Sequence, residues 1–188
     1  MSGSMNARYC AAYTLTELLI VVAILAIAAA VAIPTAQPVA EFRADAAAGE
    51  VANALRFARE NAQYSGAQRL FDCNAAANTI AVFALETDKT TARVARDPVE
   101  HPFNRAPYLL NLNAAPAGNT MAFVRCTFTF DDNTSATAVA FDAAGDPLRG
   151  VGSGDARKSV LRAGQIVLGT GNVERTIAID TTGRITVS

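Results

Sequence analysis

Glu17 is a single carboxylate at the mouth of a hydrocarbon run, and its position asks for a chemical reason. Residues 10–34 read CAAYTLTELLIVVAILAIAAAVAIP, and residues 18–33 are 16 successive apolar side chains. A carboxylate carried to the middle of a bilayer costs about 2.5–3.5 kcal/mol, and less near the interface. One account therefore leaves Glu17 among lipid headgroups. The other reactive groups are scattered. His101, the only histidine, has Glu100 beside it but lies among prolines. Ser153 follows Val151 and Gly152, so it lacks the glycine two positions earlier that a nucleophile elbow needs. The stretches GVGSGD and GTGNVE hold glycines outside the strand-to-helix setting of a phosphate loop. No Cys-x-x-Cys pair occurs, which speaks against a zinc site. These residues do not compose an active site, and the chain reads as non-enzymatic.

The elements that position them divide the chain at Pro34. A helix over residues 13–33, at ~1.5 Å per residue, comes close to the ~30 Å of a bilayer's hydrocarbon core. It has none of the polar face that a helix on a soluble core shows. Pro34 and Pro38 remove backbone donors, so a kink is expected near Pro34. The helix resumes as an amphipathic segment over residues 34–66. Val39, Phe42, Ala46, Val51, Leu55, Ala58 and Ala62 fall on one side, with Arg43, Asp45, Glu50, Asn53, Arg56 and Glu60 on the other. Gly66 suits its end.

Over residues 67–188 the period changes to alternation. QRLFDCN and NTIAVFALET read as paired strands joined around residues 74–78, and YLLNL as a short strand. The charged, proline-bearing stretch DKTTARVARDPVEHPFNRAP reads as a surface loop. NTMAFVRCTFTF, TAVAFD and RKSVLRAGQIVLGT read as strands, and RTIAIDTTGRITV as a hairpin turning at residues 181–183. The expected fold is α+β, with a long N-terminal helix packed on antiparallel sheet. Its first half is transmembrane and its second amphipathic.

Composition narrows the setting. The 188 residues accommodate one membrane helix and one domain of about 150 residues. With 16 basic and 17 acidic residues the net charge is −1, so no bulk attraction to nucleic acid is written into the chain. Cys73 and Cys126 fall at strand-like positions; they are either bridged, as an oxidising periplasm permits, or two buried free thiols. Cys10 precedes the apolar run, the reverse of a lipoprotein signal. An ordinary signal peptide remains open, with Arg8 as its basic flank and cleavage after Ala32. It would release a periplasmic binding domain.

YTLTELLIVVAILAIAAAVAIP resembles the N-terminal segment of type IV pilins and type II secretion pseudopilins. The resemblance implies a cytoplasmic leader over residues 1–12, cut by the prepilin peptidase between Ala12 and Tyr13, and methylation of the new amino terminus. Glu17 becomes the fifth mature residue and Pro34 the twenty-second, both places where that family carries these residue types. Ala12 departs from the glycine usual before the cut. Glu17 would neutralise the amino terminus of a neighbouring subunit as helices pack, an attraction that grows in a low dielectric. FDAAGDPLRG, ERTIAIDTTGRITVS and AAAGEVANALRFARENA are similar to the GspH/FimT group of minor pseudopilins and minor pilins.

That likeness implies a minor pseudopilin of type II secretion, or alternatively a minor pilin of a type IV pilus. Such a protein sits in the bacterial inner membrane by a single pass, with its C-terminal domain over residues 67–188 in the periplasm. Its partners would be other pseudopilins or pilins through the N-terminal helix, and exported protein cargo. Some minor pilins of the group bind DNA through Gly-Arg-x-Arg. Here the four residues are Gly183, Arg184, Ile185 and Thr186, so one of two phosphate contacts is missing unless Arg175 or Arg162 replaces it. DNA is accordingly not an expected partner. Some related major pseudopilins bind calcium, and Asp131, Asp132 and Asn133, or Asp142 and Asp146, could offer oxygens. Neither group has a dedicated loop's ligand pattern, so turn-forming side chains are the simpler account and no cofactor is expected.

Overall fold

The computed structural model describes residues 14–32, 36–87, 91–114, 121–171 and 173–188. Two compact units divide the chain, Met1–Ala36 and Gln37–Ser188. The first contains α1 (Leu15–Ala32), 18 residues long. Among the described residues no helix is long and apolar enough to cross a membrane. The part of α1 whose side chains are described, residues 15–29, measures ~22 Å at ~1.5 Å per residue. The kink expected at Pro34, and the boundaries expected at 12/13 and 33/34, lie outside the described residues.

The second unit is built on α2 (Ala36–Ser65), which ends where Gly66 takes φ 64°. Among the described residues twelve strands follow: β1 (Arg69–Asn74), β2 (Thr79–Thr87), β3 (Thr91–Pro98), β4 (Leu109–Asn111), β5 (Ala122–Phe130), β6 (Ser135–Ala136), β7 (Ala138–Phe141), β8 (Pro147–Leu148), β9 (Gly152–Ser153), β10 (Leu161–Thr170), β11 (Val173–Ile179) and β12 (Ile185–Val187). One sheet runs β8-β7-β1-β2-β3-β9, with β4 also on β2; the other runs β12-β11-β10-β5-β6. The named pairings are antiparallel. A helix packed on antiparallel sheet is the α+β arrangement expected.

Two sequence expectations need correction. The charged stretch expected to be all loop contains β3, which pairs with the outer half of β2. Its exposed Val94 and Asp97 give no alternation, because it is the backbone edge of β2 that recruits this strand. Pro98 is tolerated at its last position, beside a register shift between Phe83 and Leu85. Residues 99–108 do form a loop, closed by Tyr108 N–H donating to Val99 O at 2.7 Å and His101 N–H to Ala106 O at 2.7 Å.

The buried stripe of α2 also differs at its start. Val39 and Phe42 are 50% and 75% exposed, while Ala44, Ala48, Val51, Leu55, Ala58 and Ala62 are all at 0%. Those six recur at strict three- and four-residue steps; the expected step from Ala46 to Val51 is too long for one helix face. Against this stripe lie Phe71, Ile80, Val82 and Phe141 from the first sheet and Phe128, Ile166, Leu168 and Ile177 from the second, all in one core. Phe71 and Phe128 meet edge to face across the sheets, with centroids 6.1 Å apart.

Three polar devices hold the layers in register. Cys73 on β1 and Cys126 on β5 are disulfide-bonded, with Cα atoms 6.4 Å apart; such a bridge is worth ~2–4 kcal/mol. Buried Asn78, in the β1–β2 turn, donates to Met121 O and accepts from Phe123 N–H at the start of β5. The third device is Arg59 of α2. Its Nε donates to Gly145 O at 3.1 Å, and its terminal nitrogens to Gly183 O at 3.2 Å and Thr182 O at 3.3 Å.

The two turns that Arg59 joins have the same internal wiring. Asp142 Oδ1 accepts from the N–H groups of Ala144 and Asp146, and Asp180 Oδ1 from those of Thr182 and Arg184. Gly145 and Gly183 each close their turn by an N–H bond to that aspartate's carbonyl, at φ 86° and 76°. A Cβ on Gly145 would fall 2.4 Å from Gln63 Nε2, and Gln63 itself donates to Ala144 O at 2.8 Å. Both glycines therefore serve backbone geometry and close approach together.

Arg59→Ala should destabilise the chain by about 1.5–3 kcal/mol, the range for bonds to charged groups. Arg59→Lys should recover less than half of this, since an ammonium lacks the planar fork. Urea unfolding reads both, and an unchanged midpoint in Arg59→Ala refutes the brace. Asp180 is held below the ordinary carboxylate range, first by the Thr182 hydroxyl bond and then by Arg184 N–H; Asp132 is lowered too, first by its bond from the Thr134 hydroxyl. Their stabilisation is present above the unfolded-state value of ~4 and lost as pH falls through the depressed folded values. Unfolding midpoints should therefore drop with acid below pH ~4, and Asp180→Asn should flatten that drop.

Candidate assembly site

The first unit offers a surface rather than a cavity. Every described side chain from residue 14 to residue 29 is exposed, from Leu15 at 81% to Ile27 at 68%. An apolar surface of this extent requires a partner or a lipid environment. At its start, Thr14 and Glu17 cap each other. Glu17 N–H donates to Thr14 Oγ1 at 3.2 Å, while Thr14 N–H and its hydroxyl both donate to Glu17 Oε2 at 3.2 Å.

This reciprocal pair is a capping box, which satisfies amide donors that a helix start leaves orphaned. A negative charge in the first turn also complements the helix dipole. Glu17 thus has a local role in starting α1 as well as the assembly role expected of it. Thr14 is the residue that sequence reasoning passed over, although Thr-x-x-Glu before an apolar run is the capping signature. Ala12, Tyr13 and Pro34 lie outside the described residues.

The remaining sequence candidates fall in the second unit. Cys73 and Cys126 are brought together and joined. Arg184 projects from the β11–β12 turn, exposed. Arg175 is engaged instead: its Nε donates to Asp45 Oδ1 on α2, and this bond raises its pKa. Arg162 donates to Asn133 Oδ1 at 3.2 Å. Neither arginine that could replace the missing second phosphate contact is therefore uncommitted.

Among the acidic candidates, Asp132 and Asp142 accept backbone N–H bonds within their own turns. Asp132 accepts from Thr134 N–H at 2.9 Å, Ser159 Oγ at 3.0 Å and Arg149 at 3.4 Å. Among the described residues no three His, Cys, Asp or Glu side chains gather as metal ligands. His101 Nδ1 accepts from Phe103 N–H at 3.3 Å. One feature escaped the sequence altogether. Glu50, Phe57, His101, Phe103 and Tyr108 line a common cleft between α2 and the 99–108 loop. Glu50 and Tyr108 are 58 positions apart in the sequence, and no local pattern reveals that the loop folds back onto the helix.

Comparison with known proteins bears on both units. The prokaryotic N-terminal methylation motif matches residues 7–33. Comparison with curated proteins finds no match. Among solved structures, the minor pseudopilin EpsH from the type II secretion system of Vibrio cholerae is similar at 9% identity and a TM-score of 0.50, over 79% of this chain and 97% of that one. The type IV minor pilin FimU of Pseudomonas aeruginosa is similar at 13% identity and a TM-score of 0.43, over 77% of this chain and 87% of that one. The chain thus carries a prokaryotic N-terminal methylation motif ahead of a helix-on-sheet domain whose fold is similar to that of EpsH.

Proposed function

We propose that this chain is a minor structural subunit of a type II secretion pseudopilus. It is held in the bacterial inner membrane by its apolar helix, with the domain of residues 67–188 in the periplasm, until it joins the filament. The observation that carries the proposal is Glu17: a lone carboxylate inside a methylation motif, opening a helix that is apolar and exposed on every described side. The apolar run extends in sequence to Ile33, beyond the part of α1 whose side chains are described, and this supports anchorage. The prepilin peptidase cuts before Tyr13. The freed amine then pairs with Glu17 of a neighbour, where surrounding hydrocarbon strengthens the attraction. Exported protein is the cargo; the single arginine at the turn of the last hairpin, Arg184, speaks against DNA in that role.

Sequencing the membrane-extracted protein should return an N-methylated Tyr13 as first residue; a start at Ile33 or later identifies an ordinary signal peptide and overturns the proposal. Ala12→Gly should speed processing. Glu17→Ala should be cleaved normally yet enter isolated filaments about tenfold less, equivalent to ~1.4 kcal/mol. Glu17→Gln can keep the capping bonds and loses the charge, so it separates the two roles. Normal incorporation of Glu17→Gln defeats the charge-pairing account. Deletion of the gene should abolish protein secretion. Loss of surface pili with secretion intact assigns the subunit to a type IV pilus instead.

A further inference from the structure

The cleft between α2 and the 99–108 loop has a chemistry that filament assembly does not use. It encloses about 560 Å³. Tyr108 forms the centre of a triple stack, with Phe57 of α2 on one face at 4.4 Å and 8°, and His101 on the other at 5.0 Å and 23°. Phe103 stands at the rim, 91% exposed, its ring 5.7 Å from that of His101. Glu50 contributes a carboxylate oxygen, Oε2, that is buried and has no hydrogen-bond partner among the described residues. Its charge is felt by the Tyr108 hydroxyl, whose pKa is raised by burial first and by Glu50 second.

These features share one electrostatic sign. A buried carboxylate oxygen without a donor is costly. Aromatic faces present negative potential, and they attract cations most strongly where water is excluded. None of the lining residues is lysine or arginine. The missing complement is a cation with an N–H donor and a flat face. Guanidinium has both: its fork pairs with carboxylates and its plane stacks on aromatic rings, which a compact ammonium does less well.

We propose that this cleft receives an arginine side chain from a partner protein, with the Glu50 carboxylate accepting from the guanidinium and the His101 and Phe103 rings beside it. The exposed Phe103 directs the choice towards a protein. A large apolar ring beside a charged pocket is the usual composition of an interface anchor, and a free cation would leave it uncovered. The proposal does not depend on the filament reading, since it concerns a separate surface and another contact.

The test uses the full chain in detergent micelles, isotopically labelled and titrated with Nα-acetyl-arginine methylamide while the His101 and Phe103 ring resonances are followed by NMR. Saturable shifts are expected. The citrulline analogue, isosteric and uncharged, should bind at least tenfold more weakly, and so should arginine to Glu50→Gln, whose unchanged amide spectrum reports an intact fold. Acetyl-Leu-Arg-Leu-amide should bind at least threefold more tightly than acetyl-Ala-Arg-Ala-amide. That advantage should vanish in Phe103→Ala, a surface change that leaves the core untouched. Equal binding of citrulline, undiminished binding to Glu50→Gln, or no saturable shift at all overturns the site; equal binding of the two peptides overturns the protein partner.

Discussion

Two sheets can share one helix here because the face that α2 turns to them is nearly all alanine. Ala44, Ala48, Ala58 and Ala62 carry a single methyl each and are sealed from solvent. The volume they leave is filled from the opposite side by Phe71, Phe128, Phe130 and Phe141. Large side chains on the strands and small ones on the helix give dense packing without strain, whereas a bulky helix face would hold the layers apart. Phe42, about 160° round the helix from this stripe, is left exposed.

Apolar packing of this kind sets distance but not register, and the polar contacts supply what is missing. Hydrophobic burial is non-directional, while a guanidinium fork meeting three backbone carbonyls accepts only one arrangement. Arg59 thereby ties α2 to a turn of the first sheet and a turn of the second. Asn78 and the Cys73–Cys126 bridge join the sheets to each other elsewhere. Each device crosses between layers, so loosening one frees an element relative to another.

The N-terminal unit follows a different logic. Its helix is apolar all round, so nothing in its own sequence selects a face to bury. Specificity is concentrated at its first turn, where Thr14 and Glu17 satisfy each other's backbone donors. A carboxylate already placed by its own helix needs no further ordering to meet a positive partner. That lowers the entropic cost of the encounter.

Local pattern by itself determined a great deal. The end of α2 at Gly66, the β1–β2 pair, the last hairpin and the apolar run headed by Glu17 were all legible, because each is decided by residues within a few positions of one another. Thr14 was legible in the same way, through its spacing from Glu17. Only the tertiary structure decided the rest. The strand β3 exists because the edge of β2 offers it backbone partners. Arg59 finds acceptors 86 and 124 residues away. Glu50 lies on the polar side of its helix and reads as an ordinary solvated acid until a distant loop folds over it. Such contacts depend on which surfaces the whole chain brings together, and periodicity along the chain carries no record of that.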